Sequence, residues 1–119
     1  MIYPGKFDIE ILQGAYYHRR VTWELSNAPM DLTGAEIRMQ ARYAKAGTEV
    51  LIDASTTNGL IIFEDAENGV FALLFPASMT DDLSFSSGVY DLEIEMLGGI
   101  VYRLLEGRIR VDLQVTRND

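Results

Sequence analysis

The sequence predicts an all-β protein, a sandwich or small barrel, in a single domain over residues 1–119. Apolar and polar residues alternate with a period of two, most clearly in AEIRMQARY at 35–43. On a helix these residues would spread round every face, whereas on a strand they separate onto two faces. Turn signals containing glycine, asparagine or proline recur at roughly ten-residue spacing, which is typical of sandwiches. Hydrophobic residues make up 48% of the chain, enough for one core.

The individual elements follow from the same two signals. About eight or nine strands are expected, over 7–11, 21–25, 35–43, 49–54, 60–64, 70–75, 89–97 and 100–115, and residues 16–20 are also placed on a strand. Trp23 alternates with Val21 and Leu25 and is expected to anchor the core. At most one short helix is predicted, near 77–83, because proline at position 76 suits a first helical turn. Ser78 or Thr80 would cap it.

The register of the last hairpin can also be predicted. A three-residue loop over 98–100 places Glu95 opposite Arg103 and sets apolar side chains opposite apolar ones, which a two-residue turn does not. Along residues 102–115 the apolar side chains change from even to odd positions. The strand must therefore contain one bulge, and Gly107 is the expected place.

The composition excludes several classes of function. The chain has no cysteine, so disulfides, thiolate metal sites and a cysteine nucleophile are excluded. Ten Lys and Arg against eighteen Asp and Glu give a net charge of −8, which repels phosphate backbones and argues against nucleic-acid binding. The apolar runs are far shorter than the ~20 residues that span a bilayer, and the N-terminus lacks a signal-peptide pattern. A soluble protein without a membrane partner is expected.

Three acids, Asp91, Glu93 and Glu95, lie on one face of a predicted strand, about 7 Å apart. This spacing suits a pair of glycosidase carboxylates. It equally suits outward acids that face arginines on neighbouring strands, namely Arg38, Arg42 and Arg103. Catalysis would also need a cleft and one acid with a raised pKa, which the sequence does not indicate. We interpret the stretch as an ion-paired sheet face.

The remaining candidate sites are weaker. His18 is the sole histidine and has no nucleophile motif nearby, so a surface or interface residue is expected. The loop DAENG at 65–69 offers calcium ligands, but it lacks the alternating set of an EF-hand loop and fits a plain turn better. No phosphate loop or nucleophile elbow is present. The sequence predicts no enzyme, no catalytic residue, no metal and no cofactor.

Six segments, taken in order, resemble a known family. They are FDIEILQG at 7–14, DLTGAEIRMQAR at 31–42, TTNGLI at 56–61, NGVFALLFPASMTDDL at 68–83, GVYDLEIEM at 88–96 and RLLEGRIRVDLQVTR at 103–117. In this order they resemble small tailed-phage virion proteins of the tail, baseplate and tail-fibre gene region. More loosely, they are similar to the N-terminal domain of phage baseplate upper proteins. The resemblance implies an immunoglobulin-like antiparallel β-sandwich that works as a structural or adaptor module.

From this resemblance we expect a virion protein, assembled in the bacterial host cytoplasm, that docks to other virion proteins as a homo-oligomer or in symmetric repeated copies. Docking would use a sheet edge or face, with residues 1–6 and 115–119 as arms. The expected contact residues combine aromatic area with positive charge: Tyr3, Tyr16, Tyr17, His18, Arg19 and Arg20. A capsid decoration protein and a carbohydrate-binding module for host-surface contact are the alternatives.

Overall fold

The computed structural model describes residues 5–117. Its strands are β1 (Gly5–Lys6), β2 (Ile9–Leu12), β3 (Tyr17–Thr22), β4 (Glu24–Leu25), β5 (Ala28–Pro29), β6 (Glu36–Arg42), β7 (Ile52–Ser55), β8 (Ile61–Asp65), β9 (Val70–Phe75), β10 (Ser87–Glu95) and β11 (Val101–Asp112). One α-helix, α1, spans Ala77–Asp81, and a 3-10 turn spans Ala66–Asn68. Over the described range, no helix is long and apolar enough to cross a membrane.

The strands form two main sheets. The large sheet has the order β1-β11-β10-β6-β7, with β2 also paired to β11, and the small sheet has the order β3-β9-β8. Strands β4 and β5 form a separate short hairpin. This is the strand arrangement of an immunoglobulin-like sandwich. The predicted fold class is confirmed.

One part of the pairing differs from an all-antiparallel sheet. Strands β1 and β2 run parallel to β11, whereas the other pairs are antiparallel. A parallel pair needs a long connection between its strands, and here nearly the whole chain separates β2 from β11. The first and last strands of the domain are thereby joined side by side.

The core lies between the two sheets, as the alternation predicts. The inward side chains of β6, β10 and β9 are buried: Ile37, Met39, Ala41, Tyr90, Leu92, Ile94, Phe71, Leu73 and Phe75. Trp23 is 6% exposed and packs edge-on against Tyr102, with the ring centroids 5.4 Å apart. Its predicted role as a core anchor is confirmed.

The last hairpin has a loop of the predicted length in a different place. The Met96 amide donates to the Ile100 carbonyl over 2.7 Å, so the loop is 97–99 and Glu95 faces Val101. The predicted pairing of Glu95 with Arg103 is therefore wrong by two residues. A shift of two leaves every side chain on its predicted face, so the apolar pattern alone does not separate the two registers.

The bulge in β11 is present, but not at Gly107. Leu92 pairs with Leu105 and Glu93 pairs with Arg103, which leaves Leu104 without a cross-strand partner. Leu104 is buried, and the change of apolar phase takes place there. Gly107 has a different role, because the chain at Phe7 passes too close to it for a side chain.

Helix α1 is shorter than predicted and is capped differently. Pro76 occupies the N-cap position, and no side chain caps the helix. The expectation that Ser78 or Thr80 caps it is wrong. Thr80 is fully buried, and its hydroxyl donates to the Ala15 carbonyl over 2.8 Å, so it joins the helix to the turn before β3.

Candidate functional site

Residues Tyr16 to Arg20, hereafter the β3 cluster, lie at the free edge of the small sheet, because β3 pairs only with β9. The alternation of the strand divides the cluster between two faces. On the inner side, Tyr17 is half-buried and stacks on Phe75 with the ring centroids 5.7 Å apart. The guanidinium of Arg19 lies 4.3 Å from the centroid of the Phe7 ring, a cation–π contact. These two residues attach the edge of β3 to the body of the sandwich.

On the outer side of the cluster the side chains face solvent. Tyr16 is 62% exposed, and its ring lies parallel to that of His18 with centroids 6.3 Å apart. His18 Nε2 and Arg20 Nε lie 2.8 and 3.0 Å from the two carboxylate oxygens of Glu64 on β8. This side offers an exposed aromatic surface beside positive charge. Tyr3, the remaining predicted contact residue, lies outside the described residues.

The free edges of the small sheet are poorly suited to adding another strand. Strand β3 carries charged side chains along its exposed edge, and β8 is irregular between Phe63 and Asp65. Charges and bulges on edge strands oppose edge-to-edge pairing. Of the two docking modes expected from the sequence, the geometry favours contact through side chains over β-augmentation.

The expected docking arms are only partly within the described residues. Gly5 and Lys6 are paired to β11 as strand β1, so this part of the N-terminal segment is not a free arm. At the other end, Val115 follows β11 and is 92% exposed. Residues 1–4 and 118–119 lie outside the described range.

The acidic strand β10 is ion-paired, as interpreted from the sequence. Asp91 Oδ2 lies 3.7 Å from Arg103 Nε, and Glu93 Oε2 lies 3.4 Å from Arg38 Nη2. Glu95 instead faces Glu36 on β6. Arg42 does not face an acid, and the expectation for it is wrong. Its guanidinium donates to the carbonyl oxygens of residues 47 and 48 and to the side chain of residue 40, because the turn after β6 folds back over it.

A groove of about 610 Å³ lies on this face of the large sheet, which the sequence pattern did not indicate. Its charged lining includes Lys6, Arg42, Asp91, Arg103, Glu106 and Arg108. Burial raises the pKa of Asp91, whereas a hydrogen bond from Lys6 lowers the pKa of Glu106. The Asp91 carboxylate lies beside the Arg103 guanidinium, and Glu106 contacts both Lys6 and Lys45. His18 lies on the other sheet. The acids Asp91 and Glu106 of the groove are thus each paired with cations.

Replacing Asp91 and Glu106 is expected to change stability in opposite directions. The folded pKa of Asp91 lies above its usual 3.8, so the stability it contributes in acid is lost as the pH rises through that pKa. Asp91→Asn should therefore raise the free energy of unfolding at neutral pH. The folded pKa of Glu106 lies below its usual 4.5, so its contribution is present above pH 4.5 and is lost as the pH falls through the lowered value. Glu106→Gln should lower the free energy of unfolding at neutral pH.

Urea unfolding of the two variants at neutral pH and in acid checks this pair. The difference in the free energy of unfolding between wild type and each variant should shrink in acid, where both carboxyls are protonated in the folded and unfolded states. A change of the same sign for both variants at neutral pH would contradict the assigned environments.

The acidic loop at 65–69 is a turn. Residues 66–68 form the 3-10 turn, Gly69 has a φ of +74°, and its amide donates to the Ala66 carbonyl. The Asn68 side chain donates to Asp65 Oδ2 over 2.8 Å. The turn interpretation is confirmed. Across residues 5–117 no group of three or more His, Cys, Asp or Glu is placed to hold a metal ion.

Comparison with known proteins finds structural likeness only. No family model matches the chain, and no curated protein matches it. A structure of the ZIG-8–RIG-5 IG1–IG1 heterodimer is 12% identical, with 92% of this chain and 84% of that chain covered and a TM-score of 0.44. A structure of the extracellular domains of the voltage-gated sodium channel β4 subunit, described as parallel homodimers with a role in cell–cell adhesion, is 13% identical. It covers 97% of this chain and 98% of that chain, with a TM-score of 0.46.

A third structure, of sodium channel β subunits whose multimeric cell-adhesive interactions were cross-linked, is also 13% identical, with 98% of each chain covered and a TM-score of 0.44. At these TM-scores the partners and roles of the three proteins do not transfer to this chain. The immunoglobulin-like fold assigned above follows from the strand order of the two sheets.

Proposed function

We propose that this chain is a phage virion structural or adaptor protein of the tail, baseplate or tail-fibre attachment region, which acts by docking to other virion proteins. The order of six sequence motifs along the chain motivates the choice of particle. The single structural observation that supports docking is the outer side of the β3 cluster, where the exposed Tyr16 lies beside His18 and on the same strand face as Arg20. Tyrosine and arginine are enriched among the residues that dominate interface energies.

The rest of the molecule is compatible with a rigid module of this kind. Within the described residues, no buried side-chain nitrogen or oxygen lacks a hydrogen-bond partner. Two of the three acids of β10, Asp91 and Glu93, are engaged with arginines. A rigid module presents the same surface in every copy, which repeated assembly requires.

Replacing Tyr16 and Arg20 together with alanine is expected to reduce incorporation into particles by about tenfold or more, since each truncation at an interface hot spot costs over ~1 kcal/mol. Tyr16 and Arg20 are chosen because both side chains face solvent, whereas Tyr17 also packs on Phe75. The measurement is the amount of the chain in purified particles of the phage that encodes it, by quantitative mass spectrometry.

Tyr43→Ala is the matched control, because Tyr43 is 57% exposed and lies at the end of β6, in the other sheet. Its incorporation should match wild type. Unchanged incorporation of the double variant would overturn the assignment of the contact surface. Density for the chain on the head of the particle would favour the capsid decoration alternative.

The carbohydrate-binding alternative rests on a different observation, the parallel rings of Tyr16 and His18 and the exposure of Tyr16. Exposed aromatic faces are a common platform for sugars. It predicts measurable binding of the purified chain to host-surface glycans in an array, lost on Tyr16→Ala. The absence of binding across host polysaccharides would remove this alternative.

A further inference from the structure

We infer that the β3 cluster of one copy binds the apolar tip of a second copy, so that the chain associates head to tail with itself. The apolar tip is defined here as Leu25, Leu97, Ile100 and Val101, the exposed apolar residues of the β4–β5 hairpin and the β10–β11 hairpin. The inference rests on the proposed function and names a second copy as the partner of the same site.

The tip exposes apolar side chains on a rigid base. Leu97 is 78% exposed, Ile100 60%, Val101 46% and Leu25 44%. Beneath them, Trp23 packs edge-on against Tyr102 and connects the two hairpins. Gly98 and Gly99 have φ values of +103° and +96°, a region that favours glycine, and they leave open space around the loop. Several exposed apolar side chains at the same end of a domain are typical of an interaction surface.

The end of the domain that carries the apolar tip is acidic, which favours a partner that carries positive charge. The two segments that carry the tip residues and their hairpins, 22–37 and 94–102, contain no Lys, Arg or His. Glu36 and Glu95 lie directly opposite each other in the pairing of β6 with β10. No cation of the described residues lies within 4 Å of either carboxylate. Like charges directly opposite repel, so a partner that brings a cation to this end gains energy.

The β3 cluster carries the complementary chemistry. Its outer side holds Arg20 and the sole histidine, His18, with the exposed ring of Tyr16 beside His18. Only one carboxylate, that of Glu64, pairs with the cluster among the described residues. A surface that combines an aromatic ring with a guanidinium group complements exposed apolar side chains that are flanked by acids.

The two surfaces cannot meet within one molecule. Thr22, next to Trp23 at the base of the tip, and Tyr17 lie at opposite ends of β3, about 17 Å apart at the rise of a strand. Because β3 is a rigid element of the small sheet, its cluster points away from the tip of the same chain. A contact between different surfaces of two copies is heterologous, so it closes into a ring or continues as a filament.

Sedimentation velocity of the purified chain, from micromolar to near-millimolar concentration, tests the inference. The weight-average mass of wild type should rise with concentration, and high salt should reduce the association because the charges are exposed. A tip variant, Leu97→Ser with Ile100→Ser, and a cluster variant, Tyr16→Ala with Arg20→Glu, should each associate about tenfold more weakly or not at all. Val50→Ser, which changes an apolar residue that is 41% exposed outside both surfaces, should behave as wild type.

Mixing the two variants gives the decisive result. The tip variant retains an intact cluster and the cluster variant retains an intact tip, so the mixture should form a single one-to-one complex that does not grow further. Wild type that stays monomeric, or a cluster variant that still associates with itself, would overturn the inference. A separate experiment tests the proposed function, which would be contradicted if the Tyr16 and Arg20 variant were incorporated into particles normally.

Discussion

Phe71→Ala is expected to lower the free energy of unfolding by about 3–5 kcal/mol, the usual cost of emptying an aromatic site in a core. Phe71 lies on β9, the central strand of the small sheet, and is fully buried between the two sheets. Strand β9 is held between β3 and β8, so the cavity cannot close by moving a free edge inward. Since domains of this size are stable by about 5–15 kcal/mol, the variant should be close to unfolding.

Phe63→Ala is the matched control for that substitution. Phe63 pairs directly with Phe71 across β8 and β9, but it lies on an edge strand and is 36% exposed. Its loss should cost roughly half as much or less, because less apolar area leaves water on folding. Urea unfolding followed by Trp23 fluorescence measures both. Equal losses in the free energy of unfolding for the two variants would contradict the burial of Phe71 in the core and the exposure of Phe63 at the edge of the sheet.

Gly107→Ala is expected to lower the free energy of unfolding by about 1–3 kcal/mol, because it forces an atom into a packed site. A Cβ at this position would overlap the Phe7 carbonyl oxygen and lie 2.9 Å from Asp8 Oδ1. The Phe7 carbonyl also accepts the hydrogen bond of the buried Tyr90 hydroxyl. The junction of β1 and β2 would have to move away from β11, so the two parallel pairings would weaken.

Gly5→Ala is the control for Gly107→Ala, since Gly5 also lies against β11. A Cβ at Gly5 would meet the Leu105 side chain at 3.4 Å, an ordinary contact. Its unfolding midpoint should stay near that of wild type. Amide hydrogen exchange in β1 and β2 should increase in the Gly107 variant only. Equal stability of the two variants would contradict the close approach of Phe7.

The residues that stabilise each copy differ from the residues that would connect one copy to another. The core and the Gly107 contact stabilise each copy, whereas the β3 cluster and the apolar tip would connect copies. Substitutions in the first group should change unfolding and leave the mass of the folded chain unchanged. Substitutions at the exposed cluster and tip should do the opposite. A change in unfolding therefore reports on the core, and a change in mass reports on the contacts between copies.

The candidate site was predictable in part. Composition located the β3 cluster, because two tyrosines, the sole histidine and two arginines occur there in five consecutive residues of an acidic chain. The division of the cluster between two faces was not predicted, since Tyr17 and Phe75 become neighbours only through the pairing of β3 with β9. The groove beside Asp91 was missed for a similar reason, because its lining comes from β1, β6, β10 and β11.

The sequence by itself determined which face of each strand is buried. The side-chain period of two is a local property of the backbone, so the alternation in 35–43 and the role of Trp23 could be derived without any partner strand. It also determined the number of residues in the last loop, because a three-residue loop keeps apolar side chains opposite apolar ones, whereas a two-residue turn does not.

Only the tertiary structure decided which residues face each other. Registers that differ by two residues bury the same side chains, so their energies differ through particular contacts, such as that between Leu97 and Gly34. The parallel pairing of β1 and β2 with β11, the place of the bulge at Leu104 and the buried hydrogen bond of Thr80 all join residues that are distant in sequence. Such contacts depend on the packing of the whole domain, and a local pattern carries no information about them.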